Sequence, residues 1–302
     1  MTFRLGTRGS PLALAQSRSV ATALEQRGVT VELVPIKTAG DRLAQVSLAD
    51  FGGKGLFVKE IDEALLEGRI DAAVHSLKDM PAALCPGLVL AAFTPREDPR
   101  DVLVTRGPAS LAELPPASVL GTSSLRRRVL VLSRRADLTL AEIRGNVETR
   151  LEKLARGDYD ALLLASAGLR RLGIGPAHAT PLSTEEFPPA VGQGILGVEA
   201  REGDRQTREL LRIVDDSRTR TQALAERAFL LRLGASCHTP VAGHATLDDD
   251  ALTIVGLVAS LDGRTALRAS MTGSREAAEQ LGGKLAEELL ARGAGPLLEA
   301  SP

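Results

Sequence analysis

The chain has 302 residues, 44% hydrophobic and 25% charged, with 37 Lys and Arg against 38 Asp and Glu for a formal net charge of -1. That length suits two or three domains, and so even a balance excludes an overall steering field, so any anion-binding region has to be local. Aromatic residues make up only 2%, with no Trp and one Tyr, which argues against single-strand nucleic-acid binding by base stacking.

The opening MTFRLGTRGS lacks a basic stretch followed by an apolar run of signal-peptide length, and no apolar segment reaches the length of a membrane span. A cytoplasmic protein is expected, with Cys85 and Cys237 as two free thiols. RLGTRGSPLALAQS predicts a strand, then LGT, then a Ser-capped helix. GGKGLFVKE (52–60) carries Lys54 and Lys59 but lacks the spacing of a Walker phosphate loop. EALLEGRIDAAVHS (63–76) predicts a helix ending at Gly68, then Asp71 leading into a buried strand. Pro interrupts the pattern at TPREDPRD (94–101).

VLGTSSLRRRVLVLS (119–133) then echoes the start of the chain, with Leu125, Val129 and Leu132 on one face of a helix. EKLARGDYDALLLA (152–165) aligns without gaps on 63–76, pairing Gly68 with Gly157 and Asp71 with Asp160. The repeats predict two similar α/β lobes with largely parallel sheets, joined at 94–101 and again at FPPAVGQG (187–194). ILGVEA after the second crossing is expected to return to the first lobe, as in a bilobal solute-binding protein. We therefore expect a discontinuous lobe 1 (1–94 and 195–214) and lobe 2 (100–189). A C-terminal α+β domain (217–302) follows, with a helix ending at Gly234, a hairpin turning at LDGR and a final amphipathic helix.

Lys78 and Asp79 in AVHSLKDMP fall just beyond a predicted strand, where ligands bind in open α/β lobes. A solvated turn pair is the plainer reading, but the equivalent of Asp79 in the second repeat is Gly168, so the fold does not demand a carboxylate there. In GTSSLRRR, Ser123, Ser124 and three arginines sit at a predicted helix start, where cations oppose the dipole unless an anion lies between them. Arg8, Lys54, Lys59, Arg144, Arg150 and Arg171 lie near other element ends. Together these bases point to a ligand with many carboxylates or phosphates. Cys237, in LGASCHTPVAG, has no paired metal-ligand spacing, and the adjacent His238 is poorly placed as its base in an extended segment. A packed thiol and a nucleophile both stay open from these residues alone.

TRGSPLALAQ, GGKGLFVKE, AVHSLKDMP, REDPRD, GTSSLRRR, RGNVETRL and PAVGQG, in this order, closely resemble the porphobilinogen deaminase (hydroxymethylbilane synthase) family. The resemblance implies two lobes like type II periplasmic binding proteins and a third α+β domain. It implies a transferase that deaminates porphobilinogen and joins four units head to tail for heme, chlorophyll or cobalamin synthesis. The product, hydroxymethylbilane, is passed to uroporphyrinogen-III synthase or released. The chain grows on a dipyrromethane cofactor held by a thioether, by position at Cys237. Asp79 matches the carboxylate that stabilises the cation left when ammonia departs.

By the same resemblance, cofactor and chain carboxylates fall to Lys78, Thr122, Ser123, Ser124, Arg126, Arg127, Arg144 and Arg150. The substrate side falls to Arg8, Ser10, Gln16 and Arg171, with Lys54, Lys59 and Gln193. Many relatives have Gly-Gly before the cysteine where this chain has Ala235 and Ser236, and His238 receives no role. No metal, nucleic acid or membrane partner is expected, and a monomer is. The rival is a non-catalytic cytoplasmic anion-binding protein with the same two lobes.

Overall fold

The computed structural model describes residues 2–38, 58–235 and 239–299. The first sheet contains β1 (Phe3–Arg8), β2 (Val31–Ile36), β3 (Ala72–Ser76), β4 (Leu88–Phe93) and a later strand. The second contains β5 (Asp101–Thr105), β6 (Val119–Gly121), β7 (Thr139–Ala141), β8 (Ala161–Ala165) and β9 (Ala179–Pro181). The later strand of the first sheet is β10 (Leu196–Arg201). The orders are β2-β1-β3-β10-β4 and β7-β6-β8-β5-β9, so the sheets share one topology. They are less parallel than the sequence pattern predicts: β10 runs antiparallel to β3 and β4, as β5 does to β8 and β9. Both antiparallel strands come directly after a crossing, entering a sheet from the opposite lobe.

The same bonds and caps recur in both repeats. The residue before each LGT donates its backbone N–H to the carboxylate that opens the third strand: Arg4 to Asp71 (2.7 Å) and Val119 to Asp160 (2.8 Å). Gly68 (φ +70°) and Gly157 (φ +88°) occupy the left-handed region that turns each preceding helix toward its strand. The helix Pro11–Glu25 is capped by Ser10, which accepts from Ala13 N, and has Pro at its first position. The helix Leu125–Leu132 is capped in the same way by Ser124, which accepts from Arg127 N. Leu5, Val20, Leu24, Val74 and Val198 fill one lobe core, and Leu103, Leu120, Leu130 and Leu163 lie in the other.

The last region is an antiparallel sheet of β11 (Val241–Asp248), β12 (Ala251–Ala259) and β13 (Ala266–Ser274), covered by the helices Ser217–Leu233 and Ala278–Ala291. Phe229, fully buried, is its centre, and Gly243 and Gly256 let the sheet approach the ring closely. Ala242, Leu257 and Ala259 join the second lobe's core, so this sheet is seated on that lobe. No helix among the described residues is long and apolar enough to cross a membrane.

One buried side chain links this region to both crossings. Glu226, on Ser217–Leu233, accepts from Arg96 Nη1 (2.6 Å) on the first crossing, from Gly192 N (2.6 Å) on the second and from Ala245 N (2.7 Å) on β11. Burial raises its carboxyl, but the charge of Arg96 and the bond and charge of His244 outweigh that and hold it at about 2. The crossings are also paired with each other, Glu97 N donating to Gly194 O (3.0 Å).

Candidate functional site

Asp79 ends a single 3-10 turn, Leu77–Asp79, that leaves β3. Leu77 is buried, and its N–H donates to Ile195 O (3.0 Å), which fixes the turn against the second crossing. Gly192, at φ +73°, leaves space for the Leu77 side chain where a Cβ would collide with it. With Leu77 anchored inward, the turn leaves Asp79 exposed and Lys78 half-buried. An open pocket is lined by Arg8, Ser10, Gln16, His75, Ser76 and Asp79, with apolar neighbours. Three of the substrate-side residues expected from the sequence therefore share a pocket with Asp79. Gln16 is buried and donates to Ser76 Oγ at a long 3.5 Å.

The arginine-rich helix start lies around a carboxylate that sequence reasoning did not single out. Asp101, the first residue of β5, is fully buried. Arg126 Nη1 donates to its Oδ2 (2.7 Å) and Arg127 Nη2 to its Oδ1 (2.8 Å). Gln193 Nε2 adds a third donor (2.9 Å). Burial alone would raise the Asp101 carboxyl, but the two guanidiniums hold it well below the usual carboxylate range. The sequence argument that cations at this helix start need an anion is thus met, but the anion comes from the chain itself. The helix dipole conflict is no longer evidence for an external ligand. Arg126 further donates to Pro188 O (2.9 Å), and its Nε is buried without a hydrogen-bond partner among the described residues.

Lys78 links the pocket to this cluster. Burial pushes its ammonium down to about 8, opposed by the charges of Asp79 and Asp101 and reinforced by those of Arg127 and Arg126. Burial likewise lowers Arg150, with Arg127 and Arg144 adding repulsion and Asp79 attraction, and Arg150 Nε donates to Gly145 O (2.8 Å). Arg144 pairs with Glu142. Five cations (Lys78, Arg126, Arg127, Arg144 and Arg150) thus face three carboxylates (Asp79, Asp101 and Glu142), leaving a local positive excess. Beside them, Thr122 is buried, its Oγ1 accepting from Ser124 N (3.2 Å), and Ser123 donates to Ile143 O (2.5 Å).

Among the described residues, the other expected ones do not line the pocket. Arg171 donates to Gly194 O (2.7 Å) on the second crossing, and Gln193 serves Asp101 and Pro99 O. Lys59 is exposed at the start of its helix; its neighbour Val58 lines the pocket instead. Lys54, Cys237 and His238 lie outside the described residues. Asp101 and Glu226 were missed because each acts on groups far away in sequence. The only hint of Asp101 in the sequence is its place in REDPRD.

The fold and site define a two-lobed α/β protein joined to a third, sheet-based region, with the exposed carboxylate Asp79 set in a pocket of the first lobe and beside the cations Lys78 and Arg150. The chain belongs to the porphobilinogen deaminase family. The family model "Porphobilinogen deaminase, dipyromethane cofactor binding domain" matches residues 3–209, and "Porphobilinogen deaminase, C-terminal domain" matches 220–291. Porphobilinogen deaminase of Syntrophotalea carbinolica is 51% identical over 99% of this chain and 95% of that protein. Its namesake in Syntrophobacter fumaroxidans is 48% identical over 98% and 97%. Among solved structures, the methionine binding protein MetQ aligns over 70% of this chain and 89% of its own, at 14% identity and a TM-score of 0.46. A periplasmic substrate-binding protein from Coxiella burnetii aligns over 70% and 91%, at 16% identity and 0.43.

Proposed function

We infer that this protein is a porphobilinogen deaminase, a transferase that condenses four porphobilinogen molecules into hydroxymethylbilane with loss of ammonia at each addition. The observation that carries the reading is the exposed Asp79 carboxylate in a pocket with Arg8, Ser10 and Gln16, adjoining the Lys78–Arg127–Arg150 cluster. A mere anion binder gains nothing from a carboxylate there. The dipyrromethane group, when bound, supplies the free pyrrole carbon to which the first unit is joined. Its carboxylates suit the positive excess of Lys78, Arg126, Arg127, Arg144 and Arg150, with hydroxyls of Thr122, Ser123 and Ser124 at the helix start.

Arg8, Ser10, Gln16 and Arg171 hold the incoming monomer's acetate and propionate, with Lys54, Lys59 and Gln193 further out. Asp79 orients the pyrrole N–H and stabilises the cation formed as ammonia leaves. Opposite charges 4 Å apart attract by about 4 kcal/mol at an effective dielectric of 20, against about 1 kcal/mol in water, so excluding water from the pocket multiplies the effect. A thioether at Cys237 anchors the group because that bond survives the hydrolysis that frees each product. The protein works in the cytoplasm as a monomer, its lobes spanning 1–94 with 195–214 and 100–189, and its product goes to uroporphyrinogen-III synthase or to solution.

Intact-mass measurement with an ammonia-release assay tests this. The purified protein should carry an excess of two pyrrole units, absent after Cys237→Ser, and should release ammonia from porphobilinogen. An unmodified active protein refutes the anchor; a modified protein that releases no ammonia refutes the deaminase.

A further inference from the structure

Beside the pocket assigned to substrate, three titratable side chains from separate elements meet without, among the described residues, the partners their charges require. His75 on β3 is 7% exposed and lines the pocket; Glu199 on β10 is fully buried. The antiparallel register sets Gly197 opposite His75 and Glu199 opposite Ala73, so both side chains share one face and meet on the diagonal. Glu199 Oε2 lies 3.1 Å from His75 Nε2 but off the line of a hydrogen bond. Asp62, from the helix Lys59–Leu66, reaches Glu199 within hydrogen-bond range. Both Glu199 oxygens, His75 Nε2 and Asp62 Oδ1 are buried with no ordinary donor or acceptor among the described residues.

Two ionised carboxylates in such contact repel, whereas one proton between them makes a donor and an acceptor out of two orphans. Burial and then the Glu199 charge push Asp62 up to about 7, with His75 opposing and Glu63 on the same helix adding. Among the described residues, the surroundings do not replace that proton. The Cys85 thiol is itself pushed up by burial, Asp62 and Glu199, while Arg227, from Ser217–Leu233, is attracted by Glu199 but donates to Pro81 O and Ala82 O.

We propose that Asp62, Glu199 and His75 form a positioning chain for the substrate pocket, in which a proton shared by the two carboxyls keeps Glu199 against His75 and so fixes the His75 ring beside Ser76 and Asp79. The proposal rests on the reading of that pocket as the porphobilinogen site. Loss of the shared proton adds a second negative charge at His75 and displaces the ring. Substrate binding weakens while the chemical step at Asp79 is retained.

The test compares the parent holoenzyme with Asp62→Asn, whose amide donates to Glu199 at every pH. In the parent, an infrared band of a protonated carboxyl should fade around pH 7, and the His75 ring resonance, assigned with His75→Asn, should step over the same range. KM for porphobilinogen should rise several-fold across that step with kcat nearly constant. Asp62→Asn should lack the band, the ring step and the KM step. Absence of the band from the parent overturns the shared proton, and a KM profile common to both proteins overturns the positioning role. A parent that releases no ammonia counts against the proposed function alone, since the infrared and resonance measurements still decide the chain.

Discussion

Asp101→Asn keeps the shape of the side chain at the centre of the arginine cluster and removes only its charge. In the parent, that carboxylate accepts from Arg126, Arg127 and Gln193 in a site with no exposure. The variant buries two guanidiniums without a counter-ion and turns an amide NH2 toward one of them. Removing one member of a buried ion pair costs about 3–5 kcal/mol, and we expect the second lobe to lose stability in that range. The sole Tyr, Tyr159, packs against the second lobe's Val102–Leu162 cluster, and there is no Trp, so tyrosine fluorescence in a urea titration reports that lobe. The pH dependence has a fixed sign. Asp101 is held below its unfolded value of about 3.9, so its contribution is complete above that pH and is lost as the pH falls further. The gap between parent and variant should be level from pH 5 to 7 and close below about pH 4. A variant within about 0.5 kcal/mol of the parent at pH 7, or a gap that widens in acid, refutes this account of the cluster.

Two further outcomes concern the chemistry. Asp79→Asn should fold like the parent yet lose about 10³-fold in ammonia release, the equivalent of the roughly 4 kcal/mol attraction it forfeits; substantial turnover would remove Asp79 from its central role. Lys78 should make KM for porphobilinogen rise again above pH 8, a step absent in Lys78→Gln and retained in Asp62→Asn. The stability sign is opposite: the unfolded chain binds the Lys78 proton more tightly, so folding gains from about pH 8 up to about 10.4. A parent KM that is flat above pH 8 would contradict the lowered ammonium.

The two-lobe plan was legible because it is written in local signals. A glycine at each helix end and a Ser at each helix start recur at matching positions with short-range tasks, and the Asp before each buried strand shows by its recurrence alone, since its partner lies 67 or 41 residues away. Strand direction was not legible, since nothing within ILGVEA tells which way it enters its sheet. For the site, Arg8, Ser10, Gln16 and Asp79 were readable from motifs and do share a pocket. Asp101 was hidden because its partners lie 25, 26 and 92 residues away. His75, Glu199 and Asp62 read as unremarkable positions in a strand, a strand and a helix, and acquire meaning only when the sheet and its covering helix bring them together.

The carboxylate of Glu226 belongs to no single region, since it is held at once by Arg96, Gly192 and Ala245. It works as a yoke. Sliding either crossing past the third region breaks a charge-assisted hydrogen bond in a buried setting, so the least costly lobe displacements carry both crossings and the helix Ser217–Leu233 along together. The segment holding Cys237 runs from the end of that same helix to β11, the strand that supplies Ala245. On the function proposed above, the anchored end of the product chain would therefore be tied at both sides to elements that hold the two crossings.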